Sequence, residues 1–169
     1  AKQLQQSYQG SLLAAPYLDQ AERLTPQRSS LLRTRAQNEM NMILDRLGEK
    51  DHHYQQAAEA ATLRTMLTPH DADAWFLLSD IKRMAISKDD PQFQAVIAMS
   101  QKSLRLDPWN HPKYYLQLGM LHERQDRMQE AQTVYETAVE RFSLRSNLSS
   151  EDLQTIKTIN ARLQKLLSS

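Results

Sequence analysis

The chain has 169 residues, 40% of them hydrophobic and 24% charged, with three glycines, six prolines and no cysteine. That length can bury a sizeable core, and so few turn formers favour long helices over a many-turned β architecture. A net charge of +1 gives no basic stripe of the kind nucleic-acid binders carry, and the missing cysteines exclude disulfides, thiolate metal sites and thiol nucleophiles. No segment approaches the roughly 18 uninterrupted apolar residues of a membrane span, so no membrane insertion by this segment is expected. The start at Ala1-Lys2-Gln3, without methionine or a signal-peptide pattern, reads as an excised soluble module or a processed chain.

Taken in chain order, helices are predicted near 4–24, 28–47, 52–67, 71–87, 91–106, 112–125, 128–142 and 150–167. Three similar stops punctuate them: Leu24-Thr25-Pro26, Leu67-Thr68-Pro69 and Leu106-Asp107-Pro108, spaced 43 and 39 residues apart. Proline cannot continue a helix and pushes its predecessor out of the α region, so each triplet ends a helix and opens a turn. Between the stops, apolar residues recur three and four apart. Trp75, Leu78, Ile81, Lys82 and Ala85 make one stripe; Val96, Met99, Ser103 and Leu106 make a second; Met128, Ala131, Tyr135, Ala138 and Phe142 make a third. Further breaks fall at Gly48-Glu49-Lys50-Asp51, at Ser87 to Pro91 and at Gln125-Asp126, with Pro91 fitting the first turn of its helix. The last helix follows no proline stop. Ser149-Ser150-Glu151-Asp152 supplies its cap and first-turn acids, and Leu153, Ile156, Ile159, Leu163 and Leu166 its apolar stripe, so it reads as a C-terminal capping helix.

Within 108–138, Tyr115, Leu118-Gly119 and His122, followed by Ala131, Tyr135 and Ala138, resemble the tetratricopeptide repeat, in which two antiparallel helices touch at small residues. Trp75, Leu78 and Ser79 resemble a degraded copy, as do Leu32 and Ala36 with Ala57 and Ala61, and Ala14, Leu18 and Ala21 a partial one. The spacings exceed the family's usual repeat. The resemblance implies an all-α, TPR-like right-handed superhelix of helix pairs forming a single domain. Its divisions are a partial repeat at 1–26, repeats at 27–69, 70–108 and 109–145, and a capping helix at 149–168. Gly119 is then a helix contact: leucine there overpacks, whereas alanine is milder, close to neutral. A looser resemblance, carried by Asp-Pro-Trp-Asn-His-Pro and Tyr-Tyr-Leu-Gln-Leu-Gly, is to the soluble C-terminal repeat regions of bacterial O-antigen ligase/polymerase-like membrane proteins.

The family's first helices line a concave face. By that analogy the partner-binding residues are Arg33, Gln37 and Met40, then Asp73, Phe76, Asp80 and Arg83, then Lys113, Gln117, Met120 and Arg124. Chaperone-binding members use a Lys/Asn/Asn/Lys/Arg clamp for a terminal carboxylate. The corresponding positions carry Arg33, Gln37, Leu77, Lys113 and Gln117, so a carboxylate-clamp cochaperone is not expected. His52-His53, His70, His111 and His122 lack metal-ligand spacing, and Asp80 with Arg83 reads as a surface ion pair, so neither cofactor, metal nor catalysis is expected. The expected function is a non-catalytic scaffold binding a peptide or partner protein. Alternatives are an accessory module of a membrane-bound glycan-transfer protein, which would place it in the periplasm, and a homo-oligomer formed through incomplete terminal units.

Overall fold

The computed structural model describes residues 16–18, 29–44 and 50–168, and all regular structure among them is α-helical. The helix expected over 4–24 lies outside the described residues, except that 16–18 are helical with Leu18 buried, and the Pro26 stop lies outside them too. The elements that follow are α1 (Ser29–Leu44), α2 (Lys50–Leu67), α3 (Ala72–Ala85), α4 (Phe93–Leu106), α5 (Pro112–Arg124), α6 (Met128–Phe142) and α7 (Ser150–Leu167). The chain divides into two compact units, Ala1–Ala85 and Ile86–Ser169, and the boundary falls inside the stretch expected as the 70–108 repeat.

In the first unit, α2 packs on both α1 and α3. Ala36 on α1 and Ala57 and Ala61 on α2 are fully buried, small residues that allow close helix approach, while Leu32, Ile43, Leu78 and Ile81 add bulk. Polar ties fix the register: His53 Nδ1 lies 2.7 Å from Glu39 Oε2, and the buried Arg64 donates to Asp71 Oδ2 at 2.5 Å. The Asp71 carboxylate also caps α3, accepting from the Asp73 amide at 3.0 Å. Trp75, expected in the apolar stripe, is only half-buried because its indole N–H donates to the Pro69 carbonyl at 2.9 Å; Leu77 is buried in the core.

The second unit repeats that turn device. Tyr115 donates its hydroxyl hydrogen to the Pro108 carbonyl at 2.8 Å, as the Trp75 indole N–H does to Pro69, so both stop prolines among the described residues hand their carbonyl to an aromatic of the next helix. That satisfies an acceptor which the broken helix would leave unpaired. Pro91 departs from expectation and lies in a turn before α4. The Asp90 carboxylate accepts from the Gln92 amide at 2.7 Å and its carbonyl from Phe93 at 2.8 Å, which closes the turn and delays the helix to Phe93.

The core of this unit has two clusters. One gathers Phe93, Val96 and Ile97 of α4 with Leu118 and Leu121 of α5. The other gathers Tyr115, Ala131, Tyr135, Ala138 and Phe142 with Ile159 and Leu163 of α7. The motif residues therefore meet as the repeat pattern requires. The contact at Gly119 is an aromatic one, however: a methyl group placed there comes within 2.8 Å of Tyr135 Cδ1, and closer still to Cε1 and Cζ. Glycine is needed because a tyrosine ring lies across the helix backbone.

Ser149 caps α7 as expected, accepting from the Asp152 amide at 3.1 Å. Ile159 and Leu163 are buried, Ile156 and Leu166 pack partly, and Leu153 is half-exposed. The stripe is used in its middle and frays at its start.

His122 fills its aromatic slot as a buried residue whose Nδ1 has no hydrogen-bond partner among the described residues. Burial, chiefly, holds its pKa below the ordinary 6.5; Arg127 pushes the same way and Glu130 opposes. The neutral ring is thus favoured by folding. Its contribution to stability is fully present above pH 6.5 and is lost as pH falls through the depressed folded value. Melts followed by circular dichroism are expected to drop in Tm as the pH is lowered below this range, and His122→Phe should flatten part of that drop. Identical pH profiles for the two chains would refute the buried neutral imidazole.

Candidate functional site

The face shared by α1 and α3 collects most of the residues nominated in the first unit. Arg33 Nη2 lies 3.4 Å from Asp73 Oδ2, so the two helices present a cation and an anion side by side. Further along α3, Arg83 Nε donates to Asp80 Oδ1 at 2.6 Å, the three-apart pair foreseen in sequence, with half-buried Phe76 on the same helix face. Arg33, Thr34, Gln37, Asn38 and Asn41 line a shallow concavity of about 290 Å³ on α1. Its lining residues are polar, although their carbon atoms make up most of its surface: Gln37 donates to Asn41 Oδ1 at 3.3 Å, and buried Asn38 has a 3.7 Å contact with the Met42 sulfur, a weak acceptor. Hydroxyl, amide and guanidinium groups together can match the donors and acceptors of a peptide backbone.

Met40 does not line this face. It is 5% exposed and packs in the core, because its position on α1 points inward beside Ala36 and Ile43. Gln117 of α5 is likewise 5% exposed, and Leu77 is buried, so neither position presents a side chain to a partner.

In the second unit, the nominated residues that remain at the surface of α5 are Lys113, Met120 and Arg124. Lys113 Nζ stands 5.4 Å from the Tyr114 ring centre. Arg124 is engaged structurally: it donates to the Ile86 carbonyl at 2.9 Å and lies over the Phe93 ring at 5.2 Å, pinning the segment that leads into α4. At the start of α5, half-exposed Trp109 is stacked by Arg141 at 4.6 Å, and Arg141 also donates to the Pro108 carbonyl at 3.2 Å and to the Tyr115 hydroxyl.

Two groupings were not anticipated. Thr34, Asn38 and Asn41 join Arg33 and Gln37, and the signal for them is the polar run three and four apart on a helix of weak amphipathicity. The other grouping spans three helices. Tyr135 donates to Glu123 Oε1 at 2.5 Å, and Arg162 of α7 donates to Glu123 Oε2 at 2.8 Å. Burial and the Glu123 carboxylate push the Tyr135 phenol far above its ordinary value, so it stays a donor at any physiological pH. Nothing in the sequence marks Glu123 or Arg162 as more than surface charges.

The histidines scatter. His53 is tied to Glu39, His111 packs edge-on against Tyr114 at 5.4 Å, and His122 is in the core. Among the described residues, no group of three or more His, Asp or Glu side chains could hold a metal ion, and no helix is long and apolar enough to cross a membrane.

Paired antiparallel helices, stop prolines and an aromatic ring over a glycine define a helical-repeat protein. The chain has the fold of the tetratricopeptide repeats. It is similar to the crystal structure of TTC0263, a thermophilic TPR protein of Thermus thermophilus, at TM-score 0.70 and 15% identity over 93% of this chain and 74% of that one. It is also similar to MamA, at TM-score 0.65 and 15% identity over 96% of this chain and 80% of that one. A third similar structure is PcrH in complex with the chaperone binding region of PopD, at TM-score 0.63 and 11% identity over 83% of this chain and 94% of that one. At these identities the likeness is one of fold. No family model and no curated protein matches the chain. The looser resemblance to O-antigen ligase-like proteins finds no counterpart among these three structures.

Proposed function

We propose that the chain is a non-catalytic interaction scaffold that takes an extended peptide or a partner segment on the α1/α3 face of its first unit. The observation that carries this reading is the concavity lined by the polar residues Arg33, Thr34, Gln37 and Asn41 with the largely buried Asn38, set beside the Arg33–Asp73 pair. PcrH, which shares the fold, was captured with a segment of another protein bound, which supports the same use of this architecture. The α5 residues Lys113 and Met120 are a second contact surface in this reading, and Arg124 belongs to it through its exposed end.

Interface hot spots are typically aromatic or arginine, so Phe76→Ala and Arg83→Ala are the informative changes. Each is expected to weaken a partner recovered by pull-down by about 1 kcal/mol or more while leaving the helical circular-dichroism signal intact. Gln101→Ala on α4 and Gln132→Ala on α6 should leave binding unchanged. If the α4 and α6 variants lose the partner and the α3 variants keep it, the working surface is a different one.

A further inference from the structure

The charges on the α1/α3 face are matched among themselves, and that decides which segments the face can take. α1 carries Arg33, Arg35 and Glu39. Two of these are turned to α2, where Arg35 donates to Gln56 Oε1 at 2.5 Å and Glu39 Oε2 lies 2.7 Å from His53. α3 carries Asp73, Asp80, Lys82 and Arg83, and Lys82 lines a separate concavity with Tyr54 and Met66 of α2. Among the described residues the face is left with Arg33 at 3.4 Å from Asp73 and Arg83 at 2.6 Å from Asp80, two cations against two anions. We infer that this face selects an internal, uncharged stretch of its partner in extended form, and rejects acidic segments and chain-terminal carboxylates. The inference rests on the peptide-binding reading of the same face and adds the chemistry of the segment bound.

An incoming carboxylate gains little here. Placed against either guanidinium it comes about as close to the Asp73 or Asp80 carboxylate, and attraction and repulsion at similar range nearly cancel. A cation on the partner meets the same balance with the signs reversed. An uncharged backbone is treated differently, because each ion pair offers guanidinium N–H donors on one side and carboxylate acceptors on the other. The α1 edge adds amides at a matching spacing. Arg33, Gln37 and Asn41 follow one another four apart, about 6 Å along the helix axis. Peptide groups that point the same way along an extended chain repeat at about 6.4–6.8 Å. The bond from Gln37 to Asn41 Oδ1 uses the amide nitrogen of one and the carbonyl of the other. The Gln37 carbonyl and the Asn41 amide nitrogen then supply one acceptor and one donor, the pair a peptide unit requires. On α3, Asp73, Phe76, Asp80 and Arg83 recur three and four apart, so half-buried Phe76 lies between the two ion pairs and receives one apolar residue of the segment.

Panning a phage library of random twelve-residue peptides on the whole chain tests this, and the sequences it enriches become the probes. The parent should enrich sequences of net charge near zero that contain an apolar residue. Asp73→Asn and Asp80→Asn each leave the face with a net positive charge, so each variant, checked for its helical circular-dichroism signal, should shift the enrichment towards Asp and Glu. The best parental peptide, synthesised as free acid and as amide, should bind equally in both forms, and its Kd should change less than about two-fold between low and high salt. Acidic sequences enriched by the parent, or a free acid that binds several-fold more tightly than the amide, overturn the inference. The peptide-binding reading survives that result if Phe76→Ala and Arg33→Ala abolish the enrichment. Sequences enriched equally well by those two variants place binding on another surface and overturn both, as does a selection that enriches nothing.

Discussion

Gly119→Ala is expected to destabilise the protein by about 1–3 kcal/mol, the ordinary cost of overpacking, and so to lower Tm by several degrees. Two effects oppose each other. Alanine gains about 1 kcal/mol of helix propensity over glycine. Against this, its methyl group meets the Tyr135 ring, 2.8 Å from Cδ1 and closer to two further ring atoms. The ring cannot swing aside cheaply: Tyr135 is fully buried and its hydroxyl is held at 2.5 Å by Glu123, itself held at 2.8 Å by Arg162. Moving the ring breaks a charge-assisted bond and leaves a buried group unsatisfied, at about 1–3 kcal/mol. The clash wins. This reverses the expectation that alanine is close to neutral, because that expectation assumed two backbones in contact and not a ring. The check is a melt of Gly119→Ala alone and combined with Tyr135→Leu, which vacates the space. In a double-mutant cycle the two changes should couple favourably. A Tm equal to or above the parent's for Gly119→Ala would mean that propensity governs the site.

Removal of residues 149–169 should have the largest effect. α7 packs on both α5 and α6 and contributes Ile159 and Leu163 to the cluster around Tyr135 and Phe142. Burying two aliphatic side chains of this size is worth roughly 3–6 kcal/mol, an upper figure since the unfolded chain buries some of that area already. The Arg162–Glu123 pair is partly solvated and adds little by itself, of the order of 1 kcal/mol or less. Set against total stabilities of about 5–15 kcal/mol, the loss is a large fraction. The truncated chain is expected to melt much earlier and to aggregate or self-associate, because the outer side of the cluster becomes solvent-exposed, as for any repeat array deprived of its cap. Light scattering and thermal melts decide it. A truncated chain that is monomeric and equally stable would show that α7 is dispensable to the cluster it touches.

The sequence by itself determined the helices and the hairpin around Gly119. Proline stops and three-and-four spacing act over a few residues, so α3 to α7 lie within about two residues of their predicted spans, and Tyr115, Ala131, Tyr135 and Ala138 are buried together as the repeat pattern requires, with Leu118 buried against α4. What only the tertiary structure decided are pairings between distant positions. Glu123 could have met any of several cations, and only the docking of α7 brings Arg162 to it. The same holds for the candidate surface: Arg33 and Gln37 remain outside as the repeat analogy expects, whereas Met40 and Gln117 turn into the core and Asn38 and Asn41 join the concavity. Periodicity fixes which residues share a helix face. Which part of that face a neighbouring helix covers depends on where the helices cross, and that is set by the sum of many small packing contacts spread over the whole unit.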